Sequence, residues 1–168
     1  MLQIYKSPTA DSRSADHTPT IEELDASTRS HISDVQQAMN FIAAEIMKRA
    51  PFHDHTKLEH MRDFHAALTS GHIKDTDWYK KHTTEERHHL STHVPDQVDI
   101  IDLIECICDC CMAGLARSGE IYDVKFPPEM LQLIVDNTVE MFKRNTKVLD
   151  KGNPVVDSDD LLDEKISD

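Results

Sequence analysis

Apolar residues recur at helical spacing in four long stretches of the chain. The first opens at Ser27 or Thr28, either of which can cap it, and carries Ile32, Val35, Ala38, Met39, Ile42, Ala43 and Ile46 on one face. Pro51 ends it after Arg49. The second covers about 55–69, with Leu58, Met61, Phe64 and Leu68 in register, and Gly71 closes it. A short helix is expected over Asp75–His82. The third long helix, about 97–117 (QVDIIDLIECICDCCMAGLAR), is apolar nearly all round, so it is expected to be the central buried one. The last, about 128–148, carries Met130, Leu131, Ile134, Val135, Val139, Met141 and Phe142, and Pro127–Pro128 suit its first turn.

No stretch alternates with the period of a strand, so the predicted class is all-α. Residues 1–27 are polar and contain Pro8 and Pro19, which predicts a flexible N-terminal arm. Residues 150–168 hold seven acidic and two basic side chains and read as an acidic tail. The folded domain is then 28–149, without internal repeats.

Composition narrows the function classes. With 168 residues there is room for one domain with tails, and 5% aromatic content is thin for a fully packed globule of that length. No apolar run reaches the ~18 residues a membrane helix needs, and the N-terminus lacks a secretory pattern, so a cytoplasmic protein is expected. Only 4 glycines argue against Gly-rich phosphate loops. The net charge of −13 would repel a nucleic acid, so direct binding to one is not expected. Homo-oligomers remain compatible with the sequence.

Two features of this acidic chain point to chemistry. There are 11 histidines, nine of them between residues 53 and 93 and a tenth at His31. The apolar helix also carries Asp102, Glu105 and Asp109 at i, i+3 and i+7, on one side. Unpartnered carboxylates in such a setting cost several kcal/mol, so something cationic must face them. Lys or Arg would serve, and so would a metal ion held jointly with histidines. His31 shares a stripe with Val35, Ala38 and Ile42, and His53–Asp54 sits at a helix junction where neighbouring side chains can converge. The set His31, His53, Asp54 and Asp109 offers two imidazoles and two carboxylates. That mixed set suits Mn, Co, Fe, Ni or Mg, one ion or two, better than a closed structural zinc site. The four cysteines, Cys106, Cys108, Cys110 and Cys111, fall on two helix faces without a CxxC pair, so buried reduced thiols are expected.

The order His, then His–Asp, then Asp on successive helices resembles the HD-domain superfamily of metal-dependent phosphohydrolases, and more narrowly a family of small HD-like proteins of bacteria and their phages. The matching pieces are Ser30–His31–Ile32, the run Arg49–Ala50–Pro51–Phe52–His53–Asp54–His55–Thr56–Lys57, Trp78 with His82, Arg87–His88–His89, and Leu103 to Asp109. Asn137–Thr138 match more weakly. The resemblance covers about residues 28–145. It implies a compact HD-like helical bundle with His31, His53, Asp54 and Asp109 as metal ligands, in the host cytoplasm if phage-encoded. Where better-known relatives carry a Glu shortly after the His–Asp pair, this chain has Thr56–Lys57, with Glu59 nearby. Glu105 is then the preferred proton acceptor.

The remaining expectations follow from charge. Lys57 can meet a phosphate or neutralise a carboxylate. Arg87, His88 and His89 can grip a phosphoryl group, supply an acid or ligate a second metal, and His82 can join them. Trp78 can stack on a base or pack in the core. His60, His65, His72 and His93 read as surface groups. The expected activity is hydrolysis of a nucleotide or another small phosphate ester. Its rivals are a di-iron oxygenase on the same ligands and an acidic, non-catalytic protein that occupies a basic partner surface.

Overall fold

The computed structural model describes residues 1–6 and 18–150 and is mostly helical. Its elements are β1 (Leu2–Tyr5), α1 (Ile21–Arg49), α2 (His55–Glu59), α3 (Met61–Thr69), α4 (Asp77–Glu85), α5 (Ile100–Ser118), α6 (Pro128–Asn145) and β2 (Thr146–Leu149). No helix among the described residues is long and apolar enough to cross a membrane. The chain divides into two units, residues 1–36 with 146–168, and Gln37–Asn145.

In the first unit, β1 and β2 form a parallel pair with Leu2 opposite Thr146 and Tyr5 opposite Leu149. Within the stretch expected as a flexible arm, 1–27, this pairing places Leu2–Tyr5 in a strand. Each strand is only four residues long, too short for alternation to register, and the pairing joins opposite ends of the chain. Helix α1 also begins earlier than expected. Thr20 Oγ1 accepts from Glu23 N at 3.2 Å while Glu23 Oε2 accepts from Thr20 N at 2.9 Å, a reciprocal cap encoded by Thr20–Ile21–Glu22–Glu23. Residues 7–17 and the acidic segment 151–168 lie outside the described residues.

In the second unit the core gathers Leu90, Val98, Cys106 and Ile134, with Val94, Ile100, Leu103, Phe126 and Met130 around them. The loop 90–98 thus packs between α5 and α6. The predicted second helix breaks at His60 into α2 and α3. Helix α5 is not buried all round: Met112 is 60% exposed, and Ile107 and Leu115 are also open. Its start is fixed by Asp99, whose carboxylate accepts from Ile101 N and Asp102 N, while Asp102 Oδ2 accepts from Asp99 N. Gly119, at φ 77°, ends it in the left-handed region that glycine tolerates.

Inside α5, Gly114 lets the following loop close onto the helix. A Cβ there would lie 2.5 Å from Glu120 O and 2.8 Å from Tyr122 N. Both are backbone atoms, so no side chain can swing away. Gly114→Ala gains about 1 kcal/mol of helix propensity but meets an overpacking cost of about 1–3 kcal/mol. A net loss is expected in urea unfolding, and an Ala variant more stable than the parent would contradict the close approach.

Candidate metal centre

The turn between α1 and α2 aims two neighbouring side chains at one point. Pro51 lies in a 3₁₀ turn, Ala50–Phe52, after which His53 is extended and Asp54 adopts φ 56°, ψ 22°. Asp54 is the one non-glycine residue with positive φ among the described residues. Asp tolerates this region better than most side chains, and local strain is often kept at functional positions.

Around Asp54 the histidines converge on both carboxylate oxygens. Oδ2 lies 3.5 Å from His53 Nε2, which in turn is 3.8 Å from Asp109 Oδ1. Oδ1 lies 3.5 Å from His82 Nε2 and 3.7 Å from His88 Nε2. Four sets of ligand atoms are close enough to share an ion: His53, Asp54 and Asp109; Asp54, His88 and His89; Asp54, His82 and Glu86; and His53, His88 and Glu105. Three of the four contain Asp54.

Burial supports a cation at this point. His88 is 1% exposed, yet among the described residues neither its Nε2 nor Asp54 Oδ1 has a hydrogen-bond partner. His88 Nδ1 stands 3.0 Å from Glu105 Oε1, within ion-pair range. Buried polar atoms without partners are rare because each loses its water at a cost of about 1–3 kcal/mol. A divalent ion between Asp54 Oδ1 and His88 Nε2 would satisfy both, so the residues fit a metal.

Supporting hydrogen bonds fix the rings. Glu86, 4% exposed, accepts at Oε1 from Thr56 N at 2.9 Å and from Thr56 Oγ1 at 2.7 Å. Because the Thr56 proton goes to Glu86, Thr56 Oγ1 receives the proton of His82 Nδ1, 2.6 Å away. That leaves a lone pair on His82 Nε2, the nitrogen that faces Asp54. His82 Nε2 and His89 Nε2 are 2.8 Å apart, a spacing that needs a shared proton or a cation nearby. Trp78 stacks on the His82 ring at 4.7 Å with Phe64 on its other side, so it packs rather than waiting for a base. On the opposite flank, His53 Nδ1 pairs with Glu105 Oε1 at 2.9 Å, turning Nε2 toward Asp54 and Asp109.

The local field acts unequally on the three rings. Burial, reinforced by His88 and His82, pushes His89 down to about 4, and burial followed by Lys57 lowers His82, so both favour the neutral, ligating form. For His88 burial pulls downward, but Glu105, Asp54 and Asp109 outweigh it and raise its pKa. Burial pushes Glu105 upward, yet His88 and His53 hold it below its ordinary range, which makes it a weak proton acceptor.

Other expected residues take different places. Lys57 pairs with Asp54, the neutralising role. Arg87 is engaged away from the histidines: Nε and Nη2 hold Asp102 at 2.8 and 2.6 Å, and Nη2 also reaches Gln97 O. Arg49 joins Asp99 and Asp102 from the other side. Arginines therefore neutralise Asp102, whereas Glu105 and Asp109 face imidazoles. His31 is exposed on α1 in the first unit and belongs to none of the four sets. Of the cysteines only Cys106 is buried; Cys108 is exposed, and none joins a set among the described residues. His65, His72 and His93 are exposed, and His60 is half-buried. Thr56 and Glu86 are the contributors that sequence reasoning missed. The only signal for Thr56 was its place two residues after Asp54.

No protein-family model, curated protein or solved structure matches the chain.

The Thr56 bridge carries a direct test. Thr56→Val keeps the shape and removes the hydroxyl, leaving Glu86 and His82 Nδ1 without their shared partner. Cobalt affinity, followed by calorimetric titration, is expected to fall about 10–100-fold, as when an outer-layer partner of a metal ligand is lost. Thr56→Ser should restore it. Equal affinity in the Val variant would show that the bridge does not orient His82.

Proposed function

We propose that this protein is a metal-dependent phosphohydrolase whose centre would hold two divalent ions, with Asp54 among the ligands of each. The observation that carries the reading is the pair of buried atoms without a hydrogen-bond partner among the described residues, Asp54 Oδ1 and His88 Nε2, within a ring of ligating side chains. His53, Asp54 and Asp109 would hold one ion, and Asp54 with His82, His88 and His89 the other. Bound there, divalent ions would lower the pKa of a water and polarise a phosphoryl oxygen.

Charge balance favours two ions. Asp54, Glu86, Glu105 and Asp109 contribute four negative charges, and Lys57 returns one. With neutral imidazoles, one divalent ion leaves a net negative centre and two leave a net positive one. Only the second attracts a phosphate dianion. The chain's own cations nearby, Arg49, Arg87 and Lys57, are each already paired with a carboxylate. Glu105 then orients His53 and His88, and Asp109, with its side chain 32% exposed, is the carboxylate open to a proton from water. The His53–Asp54 pair followed by Asp109 supports this reaction class as the part of the HD-like order that converges, with His82, His88 and His89 beside Asp54 in place of His31.

The test is elemental analysis of the full chain after growth with manganese, alongside hydrolysis of phenyl phosphate. Two metal equivalents and a manganese-dependent rate abolished by a chelator are expected. Iron with oxygen uptake and no phosphate release would replace this reading with oxygen chemistry.

A further inference from the structure

A cavity of about 250 Å³ opens against the metal centre, between the end of α1 and the exposed side of α5. His53, Glu105 and Asp109 form its floor, so a group attached to anything held at the centre has this space beside it. Ile46, Ile101, Ile104 and Met112 form its walls. Among the described residues Arg49 is the single Lys or Arg side chain that touches it, and Asp99 and Asp102 already hold that guanidinium.

We infer that this cavity seats an uncharged apolar group of the substrate, of about one to two aromatic rings, esterified to a single phosphate. The inference rests on the phosphohydrolase reading for the phosphate but not for the apolar group. Size sets the first limit: a dry apolar cavity of roughly 150 Å³ accepts a benzene ring, whereas drug-sized ligands need roughly 300 Å³ or more. Chemistry sets the second. The walls present methyl and thioether groups with the Cys108 thiol among them, so the polar edge of a nucleobase turned toward them would lose its water for at most that one weak partner. Charge sets the third. With no uncommitted cation in the cavity, and acidic groups on its floor, the further phosphates of a nucleoside triphosphate would meet repulsion. An aryl or branched-alkyl phosphate monoester satisfies all three, whereas a nucleoside triphosphate fails the second and the third.

The experiment labels isoleucine and methionine methyl groups in the full chain and titrates it, metal-free and manganese-loaded, with four probes. These are 2-naphthol, 2-naphthyl phosphate, glycerol 2-phosphate and adenosine triphosphate, with zinc or magnesium replacing manganese where its paramagnetism obscures signals. Shifts at Ile101, Ile104 and Met112 with both naphthyl probes are expected, and tenfold or weaker binding of the other two. Ile104→Trp fills the cavity and should weaken 2-naphthyl phosphate at least tenfold while metal content stays at the parent value. Met112→Glu, at the open rim, gives the same reading if the Trp variant fails to fold. Naphthyl probes that leave these methyls unmoved, or triphosphate binding as tight as naphthyl phosphate, would overturn the inference. Naphthol seated in the cavity without any ester hydrolysis would uphold it and remove the phosphohydrolase reading instead.

Discussion

Replacing Asp54 with Asn is expected to empty the metal centre. Asp54 belongs to three of the four candidate sets and presents one oxygen to each side: Oδ2 to His53, Oδ1 to His82 and His88. An amide keeps one weak oxygen donor, loses the charge and can serve only one side. Metal affinity should fall on the order of 10²-fold or more, beyond the range for outer-layer partners, and turnover should fall with it. Asn is the informative replacement because it tolerates the positive φ of this residue, so backbone strain does not mask the chemistry. Asp109→Asn is the contrast. It touches only the set with His53 and Asp54, so bound metal should drop from two equivalents to one. Both variants should keep the parent far-ultraviolet circular dichroism. An Asp54→Asn protein with both equivalents bound would remove the proposed bridge.

The second large effect concerns Asp102, one of the three carboxylates that share a side of α5. Its side chain is fully buried, it accepts from both Arg49 and Arg87, and it closes the cap at Asp99 N. Asp102→Asn leaves two guanidiniums facing a neutral amide and weakens the start of the helix. Removing one partner of a buried ion pair costs roughly 3–5 kcal/mol. Both guanidiniums keep some access to water, with Arg49 at 30% and Arg87 at 39%, so the lower end, about 3 kcal/mol, is expected. The measurement is the urea midpoint at unchanged slope. Metal stoichiometry in the folded fraction should match the parent. Glu105→Gln should show the reverse: a small stability change, with weakened metal binding through His53 and His88. A loss below about 1 kcal/mol for Asp102→Asn would mean that the arginines hold each other's neighbours without it.

Asp102 and Asp109 show where local spacing stops being informative. Residues 102 and 109 are within 20° of each other around the helix, since seven steps of 100° nearly close two turns. They are also about 10 Å apart along it, at 1.5 Å per residue. The first lies level with the helix cap and its arginines, the second level with the turn that carries His53. A shared face therefore predicted a common need for positive charge, and the axial separation let different partners meet it. His31 illustrates the same limit from another side. Its apolar stripe suggested an inward position, yet Ile32, Val35 and Met39 beside it are exposed along with it. Periodicity identifies the face of a helix that could be covered, and says nothing of which neighbour covers it.

By itself the sequence determined the helical class, the principal helix positions, the His53–Asp54 pair at a helix junction and the row of Asp102, Glu105 and Asp109 along one side of α5, groups among which a metal ion could be held. Those features depend on interactions within a few residues, where 3.6-residue spacing, proline and glycine act directly. Only the tertiary structure decided the two-strand sheet, the assignment of Arg49 and Arg87 to Asp102, the gathering of His82, His88 and His89 on Asp54, and the hydrogen bonds through Thr56 and Glu86. Each of these joins side chains or strands distant in sequence, and which of several compatible charges meet is set by how the elements pack, a quantity that no local pattern encodes.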